Sequence, residues 1–147
     1  MLKHFLKLVF VILVGTSSVV YAEQSKSFGD YTVHYSAFTT DILTPEVAKS
    51  YRIPRSKNRA LLNVSVLKKV MNTAGTPVAA KIEASATNLS AQLRDLKVRE
   101  LSDGGAIYYI AETTVDNEET LKYSLKILPE GEKQAFSLEF NQQFFTR

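Results

Sequence analysis

Asp30, His34 and Ser36 sit within the stretch FGDYTVHYSAF and offer the acid, base and hydroxyl of a nucleophilic relay. Such a relay needs consecutive hydrogen bonds of about 3 Å. The stretch alternates, with Tyr31, Val33, Tyr35 and Ala37 on one parity and Thr32, His34 and Ser36 on the other. A period of two is the pattern of a half-buried strand. At about 3.3 Å per residue, Asp30 would lie ~13 Å from His34 and Ser36 ~7 Å from it. Asp30 therefore cannot orient the imidazole, and a hydrolase built on His34 would need an acid from a neighbouring strand. The pattern favours a histidine on the polar face of a strand.

Metal chemistry has little to work with. Beyond residue 22 the chain holds one imidazole, His34, and it has no cysteine; zinc and copper sites want several such ligands. Asp116, Glu118 and Glu119 gather acids in DNEE, but without the spacing of a calcium loop, and the segment reads as a solvated turn. There is no phosphate-cradling glycine loop, nucleophile elbow or dinucleotide fingerprint. The expectation is a protein that is not an enzyme and carries no cofactor.

Two stretches suggest binding instead. RIPRSKNR places Arg52, Arg55, Lys57 and Arg59 within eight residues, with Pro54 stiffening the loop. Such a loop suits an anionic partner: a phospholipid, an envelope polymer or an acidic protein face. At about 1 kcal/mol per basic residue near an anionic surface, four give roughly 4 kcal/mol, which is millimolar affinity. The loop can steer binding but cannot make a specific site alone. The second is the aromatic set Tyr31, Tyr35, Tyr108, Tyr109, Phe136, Phe140 and Phe144. Burying each ring is worth about 1.5–3 kcal/mol, so a core role outweighs a ligand cleft. A small-ligand carrier, with Tyr31, Tyr35, Tyr108 and Tyr109 between two sheets, is the alternative.

The elements that must position these residues are mostly strands. Leu62, Val64 and Val66 alternate with Asn63 and Ser65; Leu121, Tyr123, Leu125 and Ile127 alternate with Lys122, Ser124 and Lys126. Phe136, Leu138 and Phe140 repeat the pattern near the end. VAAKIEASA reads as a strand with a row of small residues, and AIYYIA, apolar on both parities, as a central strand covered on two sides. NLSAQLRDLKVREL reads as loop followed by strand. Gly, Pro, Asn and Asp clusters separate the runs, and Asp103-Gly104 is a hairpin signal. One short helix is expected at TPEVAKSY, capped by Thr44 and opened by Pro45. The pattern predicts an all-β antiparallel immunoglobulin-like sandwich of about seven strands, with one short helix after the first.

The first twenty-two residues read as an address. Lys3 and Lys7 precede the apolar run from Leu8 to Val14, and Val20 and Ala22 occupy small-residue positions before a cut after Ala22. The run is too short to span a membrane, which takes about 20 residues. Residues 23–147 then form a single domain that does not cross the membrane. Lys3 and Lys7 are two of 18 basic side chains against 15 acidic ones, so the chain beyond Ala22 carries a net charge near +1. Such a balance gives no reason to expect a nucleic-acid partner. Without cysteine an exported domain must rely on packing alone.

GDYTVHYSAF, YRIPRSKNRALLNVSV, AIYYIA and FNQQFF occur in that order. Together they resemble a family of small exported Gram-negative proteins in the domain-of-unknown-function (DUF) series, number forty-four twenty-six. The resemblance covers nearly all the chain beyond the leader; Phe145 departs from it where a tyrosine is expected. It implies a periplasmic β-rich domain and carries no catalytic residues. The functional expectation is a non-enzymatic binding or accessory module that contacts another envelope component, protein or anionic polymer or lipid.

Overall fold

The computed structural model describes residues 23–147; the leader and its cut lie outside the described residues. In chain order the strands are β1 (Gln24–Phe28), β2 (Tyr31–Thr39), β3 (Arg59–Lys68), β4 (Thr76–Pro77), β5 (Ala80–Asn88), β6 (Leu93–Leu96), β7 (Arg99–Asp103), β8 (Ala106–Thr114), β9 (Thr120–Pro129) and β10 (Phe136–Gln143). A 3-10 turn (Thr40–Ile42) and helix α1 (Pro45–Ser50) lie between β2 and β3. One sheet runs β1-β2-β3-β8-β7, with β4 beside β3; the other runs β10-β9-β5-β6. All pairings are antiparallel. Leaving aside β1 and β4, β2-β3-β8-β7 facing β10-β9-β5-β6 is the immunoglobulin strand order.

The period-two residues meet between the sheets as expected. Tyr31, Val33, Tyr35 and Ala37 of β2, Leu62, Val64 and Val66 of β3, Tyr109 and Ala111 of β8, and Leu121, Tyr123, Leu125 and Ile127 of β9 form one buried cluster. Ala86 of β5 is fully buried there, and a side chain this small lets the facing sheet approach closely. Ring pairs fill the rest: Tyr35 lies 4.7 Å from Phe140, and Tyr123 stacks on Phe140 at 4.9 Å. Tyr109 fastens the two sheets, its hydroxyl accepting from the Ala80 amide at 2.7 Å and donating to Glu100 at 3.2 Å.

Three elements differ from the sequence reading. β1 precedes the strand expected first and pairs with it, Gln24 opposite Tyr35 and Phe28 opposite Tyr31. Its residues QSKSF show no apolar alternation because an edge strand buries little. The segment NLSAQLRDLKVREL is two strands rather than loop then strand: β6 pairs with β5, and Lys97–Val98 carry the chain across to β7 in the other sheet. The hairpin turn falls on Gly104–Gly105, with φ of 54° and 88°, because a two-residue hairpin turn of this hand needs positive φ at both centres; Asp103 stays in the ladder opposite Ala106.

The segment from Thr40 to Asn58 is a strap across the upper outer face of the first sheet. Thr44 caps α1 as expected, accepting from the Val47 amide at 3.3 Å, with Pro45 in the first turn. Thr40 holds the strap shut: its fully buried hydroxyl donates to the Pro54 carbonyl at 2.7 Å and accepts from the Ser56 amide at 2.9 Å. Beneath the strap Ile53, Leu61 and Ile110 form a second small core, with Phe38, Leu43, Tyr51 and Leu101 around it. At the same end Glu119 ties three segments together, accepting from the Asp116 amide at 2.8 Å, Arg94 at 2.5 Å and Asn88 at 3.3 Å. No helix among the described residues is long and apolar enough to cross a membrane.

Candidate functional site

His34 occupies the outward parity of β2, half-buried, and its Nδ1 meets a carboxylate, Glu23 Oε1, at 2.7 Å. The acid thus comes from the residue just before β1. Asp30 lies in the β1–β2 turn, away from the imidazole along the strand. Ser65 stands opposite His34 in the ladder and Ser36 opposite Asn63. No hydrogen bond joins either hydroxyl to the imidazole among the described residues. The main-chain amides around these serines belong to sheet ladders, so the strands offer few N–H groups to an oxyanion.

The basic residues divide into two pairs. Arg55 donates to the Asp41 carbonyl at 3.0 Å. Arg59, the first residue of β3, faces Glu112 at 3.7 Å, and Glu112 is shared with Arg99 at 3.9 Å. Arg52 and Lys57 are exposed on the strap and have no side-chain ion pair among the described residues. Arg52 takes a positive φ of 55°, which lets the chain turn from α1 and drop Ile53 into the small core. By the estimate of about 1 kcal/mol per residue near an anionic surface, two uncommitted charges supply about half of what four would.

The tyrosines proposed for a cleft are split between faces. Tyr31, Tyr35 and Tyr109 are buried between the sheets, whereas Tyr108 points outward and is 36% exposed. Tyr31 donates to Glu132 at 2.8 Å; that bond, with burial, raises its pKa above the usual phenol value. The four therefore do not share one pocket.

The two outer faces of the sandwich differ in kind. On the second sheet, outward positions carry Lys81, Glu83, Lys122, Lys126 and Glu139, including the exposed pair Lys122–Glu139 at 3.1 Å. On the first sheet they carry Phe38, Leu61, Leu67, Leu101, Tyr108 and Ile110, interspersed with His34, Ser36, Asn63 and Ser65. Two concavities lie on this face. One, of about 390 Å³, runs over His34, Ser36, Asn63, Ser65, Leu67, Pro77 and Tyr108. The other, of about 410 Å³, lies against the strap and is lined by Phe38, Leu43, Val47, Tyr51, Ile53, Leu61, Leu101, Asp103 and Ile110. Glu23, Asn63 and Tyr108 border both, so they form one groove.

The polar groups of the groove are few and placed. Asn63 Oδ1 is buried on its floor with no hydrogen-bond partner among the described residues, an acceptor left without a donor. The Tyr51 hydroxyl donates to Asp103 Oδ2 at 2.8 Å. That bond, followed by burial and the charges of Asp103 and Tyr108, raises the Tyr51 pKa above the usual phenol value. Among the described residues Glu23, Asp103 and His34 are its ionisable groups besides the tyrosines, and neither lysine nor arginine lines it. A mostly apolar concavity with a few convergent polar groups is the usual form of a binding site. Leu61 and Ile110, apolar on the outward parity, were the sequence signal for this face; Tyr51, Asn63, Leu101 and Asp103 went unnoticed as site residues.

Comparison with known proteins follows the same lines. No curated protein matches the chain. The crystal structure of a DUF4426 family protein from Pseudomonas aeruginosa matches with a TM-score of 0.74 and 35% identity, covering 85% of this chain and 96% of that one. FetP of uropathogenic Escherichia coli strain F11, recombinantly expressed in the periplasm, matches with a TM-score of 0.60 and 10% identity over 84% of this chain and 94% of its own. A copper-bound FetP variant gives 0.60 and 9%, over 86% of this chain and 97% of its own. At those identities FetP shares the fold alone. The family model for the domain of unknown function DUF4426 matches residues 25–147, and the chain belongs to that family.

Proposed function

We propose that the protein is a non-enzymatic binding module of the Gram-negative envelope, acting in the periplasm, with the outer-face groove of the first sheet as its contact surface. One observation carries this reading. The first sheet leaves an apolar, concave outer face beside a strap, while the outer face of the second is studded with charged side chains. Solvent does not favour leaving Leu101, Tyr108 and their neighbours in an open depression, and such faces mark interaction sites. Arg52 and Lys57 sit on the strap that walls the groove and would steer it toward an anionic surface. Export is supported by the order of charged, apolar and small residues in the leader.

Glu23 and His34 make the first two members of a hydrolytic relay, but neither neighbouring serine hydroxyl is bonded to the imidazole, which speaks for a binding role. Copper, named for FetP, is left out of this reading. Among the described residues no three His, Cys, Asp or Glu side chains gather as metal ligands, and the one imidazole is engaged with Glu23.

A photo-crosslinking residue placed at Tyr108, and in parallel at Ser85 on the opposite outer face, tests the proposal in living cells. Adducts are expected from position 108 alone, with lower yield when Arg52 and Lys57 are both changed to Glu. Equal adducts from both positions, or from Ser85 only, would refute the groove as the contact surface.

A further inference from the structure

The deep end of the groove has a polarity that narrows what can enter it, and the inference that follows rests on the binding-face reading above. Its floor is apolar: Phe38, Leu61 and Ile110 under the strap residues Leu43 and Ile53. At its open side Asp103 stands at the end of β7, two pairs along from Leu101, which lies opposite Tyr108 in the ladder. Tyr51, at the end of α1, reaches across to donate its hydroxyl to Asp103 Oδ2 at 2.8 Å. Tyr51, Asp103 and Tyr108 all line this concavity. The two carboxylates of the groove differ in partner: Glu23 meets the His34 imidazole at 2.7 Å, whereas Asp103 accepts from the Tyr51 hydroxyl and has no ion pair among the described residues. Arg99, on the same strand as Asp103, is turned to the Tyr51 carbonyl and to Glu112.

We propose that Asp103, Tyr51 and Tyr108 form an ammonium-accepting half-cage at the mouth of the apolar pocket, so that the groove takes a small amphipathic amine. The ligand class is an apolar chain or ring ending in a protonated amine. The carboxylate supplies charge, and the tyrosine rings add faces whose quadrupoles attract a cation. The apolar part enters a pocket of about 410 Å³, within the size range of small-molecule sites. An anionic head would meet Asp103 with no lysine or arginine among the described residues lining the pocket to offset it, and a neutral head would gain nothing from the carboxylate's charge.

The test is an NMR titration of the exported protein with octylammonium, octanoate and octanol, which share a tail and differ in head charge. Octylammonium is expected to shift the amides of Leu101, Tyr108 and Ile110 and to bind at least tenfold more tightly than octanoate. Asp103→Asn should weaken the amine at least fivefold while keeping a native-like spectrum, and Tyr108→Leu, which keeps an apolar body without the ring, should weaken it less. Octanoate or octanol binding the same amides as tightly would overturn the cation assignment while leaving the groove a binding face. Octylammonium binding unaffected by Asp103→Asn would overturn it as well. Failure of all three probes would overturn the ligand class, and if the crosslinker at Tyr108 also captured nothing, the binding-face reading would fall with it.

Discussion

Among the described residues Tyr123 is the largest fully buried side chain, and its hydroxyl has no hydrogen-bond partner there. Its ring stacks on Phe140, centroids 4.9 Å apart and planes within 13°, so the ring belongs where it is and the oxygen does not. A buried hydroxyl without a partner costs about 1–3 kcal/mol by protein mutational scales. Tyr123→Phe keeps the ring, removes only that oxygen and should stabilise the fold by about 1 kcal/mol. For a domain of this length that is about 4 °C in Tm, measurable by calorimetry or urea unfolding. The same burial pushes the Tyr123 pKa far above the ordinary phenol value. The folded state therefore keeps this proton above pH ~10 while the unfolded chain loses it. Stability is fully present below that pH and falls as pH rises, by up to about 1.4 kcal/mol per pH unit for one group. The Phe variant should lose stability less steeply on the alkaline side. If Tyr123→Phe instead destabilised the protein by 1 kcal/mol or more, the hydroxyl would have to be bonded in solution, and the reasoning would be wrong.

Thr40→Val deletes the hydroxyl that links Thr40 to Pro54 and Ser56; a loss of about 1–3 kcal/mol is expected, with hydrogen exchange rising first at the Ser56 amide. Gly75 has φ of +104°, and a Cβ there would lie 2.9 Å from the Lys68 carbonyl oxygen. Gly75→Ala should therefore cost about 1–3 kcal/mol in urea unfolding, whereas Gly29→Ala, with open space around it, should cost less. Burial pushes the Glu119 carboxyl up, but hydrogen bonds from the Asp116 amide, Arg94 and Asn88 outweigh it and hold its pKa below the ordinary carboxylate value. Its stabilisation is present above that ordinary value and is lost as pH falls through the folded one. Glu119→Gln should cost about 1–3 kcal/mol near neutrality, and the gap from the parent should narrow in acid.

Much of the sandwich was legible because burial on one face writes itself as alternation. β2, β3, β9 and β10 each carry at least three apolar residues at alternate positions, and a one-residue slip would turn all of them outward. Thr44 and Pro45 announced α1 through groups that satisfy its first amides. β1 was hidden because QSKSF joins the sheet through backbone bonds that any side chains permit. The switch at Lys97–Val98 was hidden because Leu96 and Val98 both pack on the core, so the alternation runs on without marking the change of sheet. The groove was hidden for another reason: its walls come from β2, the strap, β3, β7 and β8, and only the fold brings Tyr51 to Asp103. Tyr108 and Tyr109, neighbours in sequence, were grouped together although a strand necessarily sends them to opposite faces.

The five residues of β1 also govern how the molecule meets copies of itself. With β1 in place, the margin of the first sheet is a short strand carrying Lys26 and two serines, a poor template for another chain. Trimming Gln24–Phe28 would bare Tyr31–Tyr35 as well, leaving all nine residues of β2 as the edge, and would remove the Phe28–Phe136 stack at 4.8 Å that seals the lower end. A long, regular edge of that kind recruits strands from neighbouring molecules. Proteolysis between β1 and β2 would thus turn the domain into a seed for aggregates, although almost every core contact survived.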